Sequence, residues 1–290
     1  MSAISVIVVT YRPGPELLSC LNSLEKFIDC EKEIIICDNS PEASYILANV
    51  ESDFKNVKVI YIQNNPGFGT ANNIGAANAV HKFLMFINPD AVLTSQVNNP
   101  SDLLTDGIGI LSGYCLDEEY RYKQTVGHFP ISPSLLILFS RRLNSTPPFD
   151  TGVFSHDFVE IDYAEGSLYL IRADIFKQVN GFDQDIFLYG EDYELSYRIH
   201  LAGYRNVIAR DLTYQHVGGF NHSREPHIVN GLLHFAKKHL PFHKRLGVRS
   251  VLVARTVLLL IIHVVLGFAN QRRRKRVRPL FLSLRRTLEA

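Results

Sequence analysis

Several familiar signatures are missing from this 290-residue chain, and each absence removes a class of function. Its four cysteines, Cys20, Cys30, Cys37 and Cys115, form no Cys-x-x-Cys pair, so a zinc ribbon or dithiol redox centre is excluded. They read as reduced, mostly buried thiols of a cytoplasmic protein. The formal net charge is only +1, which argues against a dedicated nucleic-acid binder. The N-terminus enters a strand at once, with no basic run or cleavage site before it, so no signal peptide is expected. The glycine-rich run Asn65-Pro-Gly-Phe-Gly-Thr-Ala-Asn-Asn-Ile-Gly75 is neither GxGxxG nor GxxxxGK[ST]. A dinucleotide enzyme and a P-loop ATPase are therefore disfavoured. No apolar run reaches the roughly 18 uninterrupted residues of a confident membrane span, because Arg255 and His263 break Val251–Phe268.

What is present begins with alternation. Ile4–Val9, Glu33–Cys37, Val57–Ile62 and Phe83–Ile87 are β-branched or apolar runs of strand length. Leu17, Leu18, Leu21 and Leu24 recur at helical spacing, and Ala71–Val80 is a small-residue helix. Ser40 followed by Pro41 has the form of a helix start, a cap and then proline at the first position. Strand and helix in turn predict a parallel, Rossmann-like sheet with helices on both faces. Ligands bind such sheets at the carboxyl ends of the strands. Polar residues gather there: Thr10, Tyr11 and Arg12; Asp38 and Asn39; Asn64 and Asn65; Asn88 and Asp90. Gly67 and Gly69 permit close backbone approach to a ligand, and Asn72 and Asn73 add side-chain donors.

Residues 163–216 carry the densest pattern. Glu191 and Asp192 follow an aromatic, glycine-rich run and precede Leu195, Ile199 and Ala202, which recur at helical spacing. Glu194 and Arg198 form an i, i+4 pair on the other face. The two acids therefore stand at a helix start. Ile161–Arg172 has strand character. Between Val97 and Val159 little is legible beyond Ser140-Arg-Arg142 and a proline-marked loop at Asn144–Pro148.

The ordered motifs Glu165-Gly-Ser, Leu170-Ile-Arg, Val179-Asn-Gly-Phe-Asp, Phe187-Leu-Tyr-Gly-Glu-Asp, Ala202-Gly and His216 resemble inverting family 2 glycosyltransferases. Within that family they are most similar to bacterial rhamnosyltransferases of polysaccharide and O-antigen assembly. The resemblance covers roughly the first three quarters of the chain. It implies a GT-A fold, a Rossmann-like mixed α/β sheet flanked by helices, here over residues 1–225, with a C-terminal helical appendage over 226–290. It implies Asp192 as catalytic base with Glu191 beside it. Donor binding would involve Thr10, Tyr11, Arg12, Asp38, Asn39, Gly67, Phe68, Gly69, Asn72 and Asn88, with Asp38 accepting a hydrogen bond from the nucleotide base. Asp90, the last position of an Asp-x-Asp-like signature whose first acid is here Asn88, would hold a divalent cation together with His216. That cation is Mg2+ or Mn2+, and an imidazole ligand favours Mn2+.

The implied reaction moves a sugar, L-rhamnose from dTDP-rhamnose, to a hydroxyl of a lipid-linked or polysaccharide acceptor. A UDP-galactofuranose or UDP-hexose donor is the alternative within the class. A non-catalytic, membrane-bound scaffold on the same fold is the alternative outside it. After His216, Asn221–Glu225 reads as a loop and His227–His239 as a helix. Val251–Phe268 is strongly apolar, and six cations from Arg272 to Arg278 follow it. That segment either lies on an anionic membrane or packs on the domain. The first reading places the protein in the cytoplasm, peripheral on the inner face of the plasma membrane.

Overall fold

A computed structural model describes residues 2–42, 44–131, 158–216, 218, 224–265 and 271–289. The loop expected at Asn144–Pro148 and most of that at Asn221–Glu225 lie outside the described residues.

In chain order the elements are β1 (Ile4–Thr10), α1 (Glu16–Phe27), β2 (Lys32–Asp38), a 3-10 turn (Leu47–Asn49), α2 (Val50–Asp53), β3 (Val57–Tyr61), α3 (Phe68–Asn78) and β4 (Phe83–Ile87). Next come β5 (Ala91–Leu93), α4 (Pro100–Leu103), β6 (Ile108–Leu116), β7 (Val126–Gly127), β8 (Phe158–Ile161), β9 (Tyr163–Ala164) and β10 (Leu168–Arg172). The rest comprises α5 (Ala173–Gln178), α6 (Glu191–Leu201), β11 (Arg205–His216), α7 (Glu225–His239), α8 (Phe242–Val265) and α9 (Gln271–Glu289).

The main sheet has the order β3-β2-β1-β4-β10-β6-β11-β5, with β8 paired to β11. β3, β2, β1 and β4 run parallel. β10 enters antiparallel between β4 and β6, and β11 is parallel to β6. The sheet is therefore mixed. The antiparallel β10 turns the sheet polarity, so its first residue, Leu168, pairs with Ile87 at the end of β4. His216, ending β11, pairs with Ala91 at the start of β5. The carboxyl ends of β1, β2, β4 and β11 and the start of β10 thus share one edge.

Every residue of β1 is buried, because both faces of the sheet are covered. Ile4, Val6 and Val8 pack with Leu17, Leu21 and Leu24 of α1 on one face. Ile7 packs with Ile175 and Phe176 of α5 and Leu195 and Ile199 of α6 on the other, as a period of two requires. All four cysteines are free and buried. Burial pushes the Cys20 and Cys37 thiols up to about 12.

Two sequence expectations are corrected. No helix starts at Pro41: the next helical residue is Leu47. The Ser40 hydroxyl does not cap a helix but bonds Asp38 Oδ1 at 2.6 Å, while accepting the Arg12 N–H at 2.6 Å. α3 begins at Phe68 and not Ala71, so the glycine-rich run is itself the helix start. Gly67 takes φ 102° there, and a side chain on it would strike the Phe187 carbonyl oxygen at 2.5 Å.

The described residues fall into two compact units, one within 1–128, 144–187 and 191–218, the other within 129–143, 188–190 and 219–290. The second is dominated by α7, α8 and α9, which pack on one another.

Candidate active site

At the shared edge the β1 and β2 ends are tied together by Asp38. Its carboxylate is buried, and Oδ1 accepts from Thr10 Oγ1 at 2.9 Å, from Ser40 Oγ at 2.6 Å and from Ser40 N at 3.2 Å. Three donors on one oxygen fix the orientation of the group. Its second oxygen makes no hydrogen bond among the described residues. Asn39 donates through Nδ2 to the Gly67 carbonyl at 3.3 Å, and its backbone N–H donates to the Thr10 carbonyl at 2.9 Å. The first two strand ends and the α3 entry therefore form one connected rim. Tyr11 stands 53% exposed beside them, with the Arg12 guanidinium 5.5 Å from its ring centroid.

The start of α3 is held from the other side by residues 179–187. The Phe68 N–H donates to the Phe187 carbonyl at 3.0 Å. Asn73 bonds Phe182 reciprocally: Nδ2 donates to its carbonyl and Oδ1 accepts its N–H, both at 2.8 Å. Gly69 lies against Phe182, where a side chain would meet Phe182 Cβ at 3.0 Å. Asn72 is buried, and its amide donates back to the Phe68 carbonyl at 3.1 Å. Of the two asparagines expected to offer donors to a ligand, Asn72 thus uses its N–H within its own helix and Asn73 uses its amide on the Gly181-Phe182 turn.

Asn88, Pro89 and Asp90 bridge β4 to β5. The Asn88 N–H donates to the Ser167 carbonyl at 3.0 Å, and its side-chain oxygen is buried with no partner among the described residues. Asp90 faces the last residue of β11, its Oδ1 lying 3.2 Å from His216 Nε2. Burial works to raise the Asp90 carboxyl, but the His216 hydrogen bond, the His216 charge and the Lys123 charge hold it below the ordinary range.

A divalent cation fits this pair. A carboxylate oxygen and an imidazole nitrogen converge, and the other ring nitrogen, His216 Nδ1, is buried with no partner among the described residues. Gly218 leaves the space beside them open: a methyl there would fall 2.7 Å from His216 Nε2 and 2.9 Å from Asp90 Oδ2. The Lys123 ammonium clamps the turn by donating to the His216 carbonyl at 2.5 Å and the Gly218 carbonyl at 2.9 Å. A cavity of about 340 Å³ opens next to it, lined by Asp117, Glu119, Arg121, Lys123, His216 and Gly218.

Glu191 and Asp192 open α6, where the helix N-terminus favours an anion. Glu191 is buried, and Asp192 partly so. Gly166 lies between Asp192 and Phe68. A methyl placed on it would sit 3.7 Å from Asp192 Cβ and 3.9 Å from Phe68 Cε1, so the starts of α6 and α3 meet over the residue before Ser167. The Asp192 carboxyl is pushed up to about 7 by burial, with the Glu165 charge adding to the rise. The Tyr193 N–H, donating to Asp192 Oδ1 at 2.8 Å, opposes it.

α6 is fixed by a buried ion pair. Glu194 is fully buried, not solvated on an outer face, and takes both Nε and an Nη of Arg198 at 2.6–2.9 Å. Arg198 also donates to the carbonyls of Val179 and Gly181. The same guanidinium thus locks the Val179-Asn-Gly181 turn to the helix carrying Asp192. Lys123, Ser40, Ser167 and Arg198 had no assigned site role from the sequence. Lys123 lies in the stretch with no legible motif. Ser40 carried a cap signal that Asp38 captured instead.

Residues 5–98 match the family model described as glycosyl transferase family 2. The rhamnosyltransferase WbbL of Escherichia coli is 32% identical over 155 residues, covering 48% of this chain and 56% of that protein. The chain therefore spans little more than half of that relative's length. An N-acetylglucosaminyl-diphospho-decaprenol L-rhamnosyltransferase of Mycobacterium tuberculosis is 25% identical over 243 residues, covering 76% of this chain and 78% of that protein. Among solved structures, GalNAc-T7 with UDP, GalNAc and Mn2+ superposes with a TM-score of 0.58 at 16% identity, over 76% of this chain and 44% of that one. Staphylococcus aureus TarS gives 0.54 at 17% identity, over 93% and 44%. These two likenesses establish the fold, a GT-A-type mixed α/β sheet flanked by helices.

Proposed function

We propose that this chain, a glycosyltransferase of family 2 related to the bacterial rhamnosyltransferases, transfers L-rhamnose from a nucleoside diphosphate to a hydroxyl of a glycan or lipid-linked glycan. The juxtaposition of Asp192, Gly166 and the Phe68 helix start carries this reading, because it sets a carboxylate of raised basicity against the glycine-rich entry to α3. Rhamnose as the sugar is supported by two relatives named as rhamnosyltransferases, and dTDP-rhamnose is the donor the reading takes with it.

In this mechanism Asp38, oriented by Thr10 and Ser40, accepts a hydrogen bond from the nucleotide base through its second oxygen. Tyr11 and Arg12 flank the nucleotide. The α3 entry at Gly67, Phe68 and Gly69, packed on Phe187 and Phe182, lies beside the donor, and the first-turn N–H groups of Gly69 and Thr70, which Phe187 and Gly67 do not take, are offered to it. Asn39 and Asn72 hold that turn in shape, and Asn88 presents its amide oxygen to the donor. Asp192 takes the acceptor proton as the acceptor oxygen bonds the anomeric carbon and the carbon–diphosphate oxygen bond breaks on the opposite side. That displacement inverts the anomeric centre. Glu191 adds negative charge beside the base. Mg2+ or Mn2+, held by Asp90 and His216, would supply the positive charge that a departing diphosphate requires.

A panel of nucleotide sugars, each with Mn2+, tests this by thermal stabilisation and by donor hydrolysis. The reading expects dTDP-rhamnose to raise the melting temperature most and to be hydrolysed slowly without acceptor. A larger shift with UDP-galactofuranose or a UDP-hexose would change the donor. No shift and no hydrolysis with any donor would make the chain a non-catalytic scaffold.

A further inference from the structure

The C-terminal helices raise a question that the reaction does not answer. α8 buries one stripe: Val248, Leu252, Thr256 and His263 are each at most 9% exposed, and their spacing of four and seven puts them on one face. α9 buries Leu280, Ser283 and Thr287 at spacings of three and four. The hydroxyls of this seam are turned back on their own helices, Thr256 to the Leu252 carbonyl at 2.7 Å and Thr287 to the Ser283 carbonyl at 2.8 Å. Arg249 bonds the Leu288 carbonyl near the start of α8 and the end of α9, so the two helices run antiparallel. Arg255 pairs with Glu225 and fastens α8 to α7.

The outward face is apolar. Val257, Leu258, Ile261, Ile262 and Val264 are 37–55% exposed, and α9 adds Phe281 at 61% and Leu288 at 57%. Among the described residues α8 is the one helix long and apolar enough to cross a membrane by length and composition. Its Phe242–Val264 segment has mean hydropathy 1.8, yet only 17% of its apolar window is buried. So large an uncovered apolar surface marks an interaction face. Its surroundings indicate the occupant. The exposed apolar residues lie toward the end of α8, and the antiparallel return of α9 begins with Arg272, Arg273, Arg274, Lys275, Arg276 and Arg278. An apolar helix end followed in the chain by a run of cations complements an anionic lipid surface. A perpendicular span would strip α8 from the seam with α7 and α9 and carry Arg249 and Arg255 through hydrocarbon.

We propose that the outward face of the α8–α9 hairpin docks on an anionic lipid bilayer, with α8 lying in the plane of the interface. This proposal is independent of the reaction assigned above.

The test is flotation of the full chain with vesicles of phosphatidylcholine alone and of phosphatidylcholine with phosphatidylglycerol, at low and high salt. The wild type is expected to float with the anionic vesicles, and high salt should remove part of that binding. Replacing Arg272, Arg273, Arg274, Lys275 and Arg276 by glutamine should leave weak, salt-indifferent binding. Leu258→Ser, Ile261→Ser and Phe281→Ser together should weaken partition on the order of a hundredfold, with an unchanged melting temperature because all three point outward. Failure of the wild type to float, or full flotation of the triple variant, overturns the proposal. So does unfolding of the triple variant, which would make the face part of the core, or a lipid-free dimer that the triple variant breaks apart. A fluorophore on Ile261→Cys, quenched by brominated lipids, should report a depth near the headgroups. Quenching greatest at the bilayer centre overturns the in-plane arrangement.

Discussion

His216 closes β11 with its Nε2 atom 3.2 Å from Asp90 Oδ1, although 126 positions separate them in the chain (216 − 90). Register makes the contact: His216 pairs with Ala91, so the side chain just before β5 and the last one of β11 must meet. The carboxylate is held ionised by that imidazole and by Lys123, against the pull of burial. The proposed cation site rests on this pair, so divalent-ion affinity is the property to measure in variants of either residue. Mn2+ titration by electron paramagnetic resonance should show Asp90→Ala losing at least tenfold in affinity in the presence of nucleoside diphosphate, and His216→Ala losing less. Wild-type Mn2+ affinity in both variants would remove the cation from this pair.

Gly218 should tolerate no side chain there. A methyl would fall under 3 Å from both His216 Nε2 and Asp90 Oδ2, so Gly218→Ala must displace the imidazole, the carboxylate or the turn that Lys123 clamps. The expected outcome is a fold of wild-type melting temperature without Mn2+ and a clearly smaller Mn2+-dependent increase in that temperature. An unchanged metal-induced increase would show that the turn gives way freely.

The raised Asp192 carboxyl predicts two pH effects of opposite value. A base works only when deprotonated, so kcat/KM should rise with pH through about 7 and not through the ordinary carboxylate range near 4. For stability the folded value lies above the ordinary 3.8, so the folded state binds the proton more tightly between those limits. The contribution is fully present below about pH 4 and is lost as pH rises through about 7. Asp192→Asn should therefore melt higher than wild type above pH 7, with the difference fading toward pH 4. Paired melting curves across that range check the sign.

The Glu194–Arg198 pair should be costly to break. Glu194 is 0% and Arg198 15% exposed at the side chain, and the guanidinium also serves two backbone carbonyls. Arg198→Met leaves a buried carboxylate without its cation, a change that typically costs about 3–5 kcal/mol. Urea unfolding should show that loss. The double variant Glu194→Gln, Arg198→Met should recover part of it, because the orphaned charge is gone.

Much of the fold was legible in local pattern. β1 and β2 follow from mostly buried β-branched runs, β3 and β4 from apolar runs of strand length, with β3 half-exposed at the sheet edge, and α6 follows from Leu195 and Ile199. What escaped depended on partners distant in sequence. Ser40 has the form of a helix cap, but Asp38 lies two residues back and takes its hydroxyl, and proline alone cannot start a helix. Glu194 and Arg198 have the spacing of a surface pair, yet the Val179–Gly181 turn folds over them and makes the pair internal. α8 begins nine residues earlier than its apolar run because Phe242 to Ser250 continues the helix with a polar face after Pro241. Lys123 could not have been singled out, since its partners are backbone carbonyls at the end of β11, which no side-chain pattern encodes.

The base assignment at Asp192 is the centre of the account, and one comparison tests it. Wild type and Asp192→Asn are measured under saturating dTDP-rhamnose, Mn2+ and a hydroxyl acceptor, with donor affinity determined for both by thermal shift. The amide keeps the shape and the Tyr193 N–H contact but cannot take a proton. The predicted result is donor affinity within about twofold of wild type and a turnover lower by about 10²–10⁴. Near-normal turnover in the asparagine variant would contradict the account and move the base to Glu191 or elsewhere.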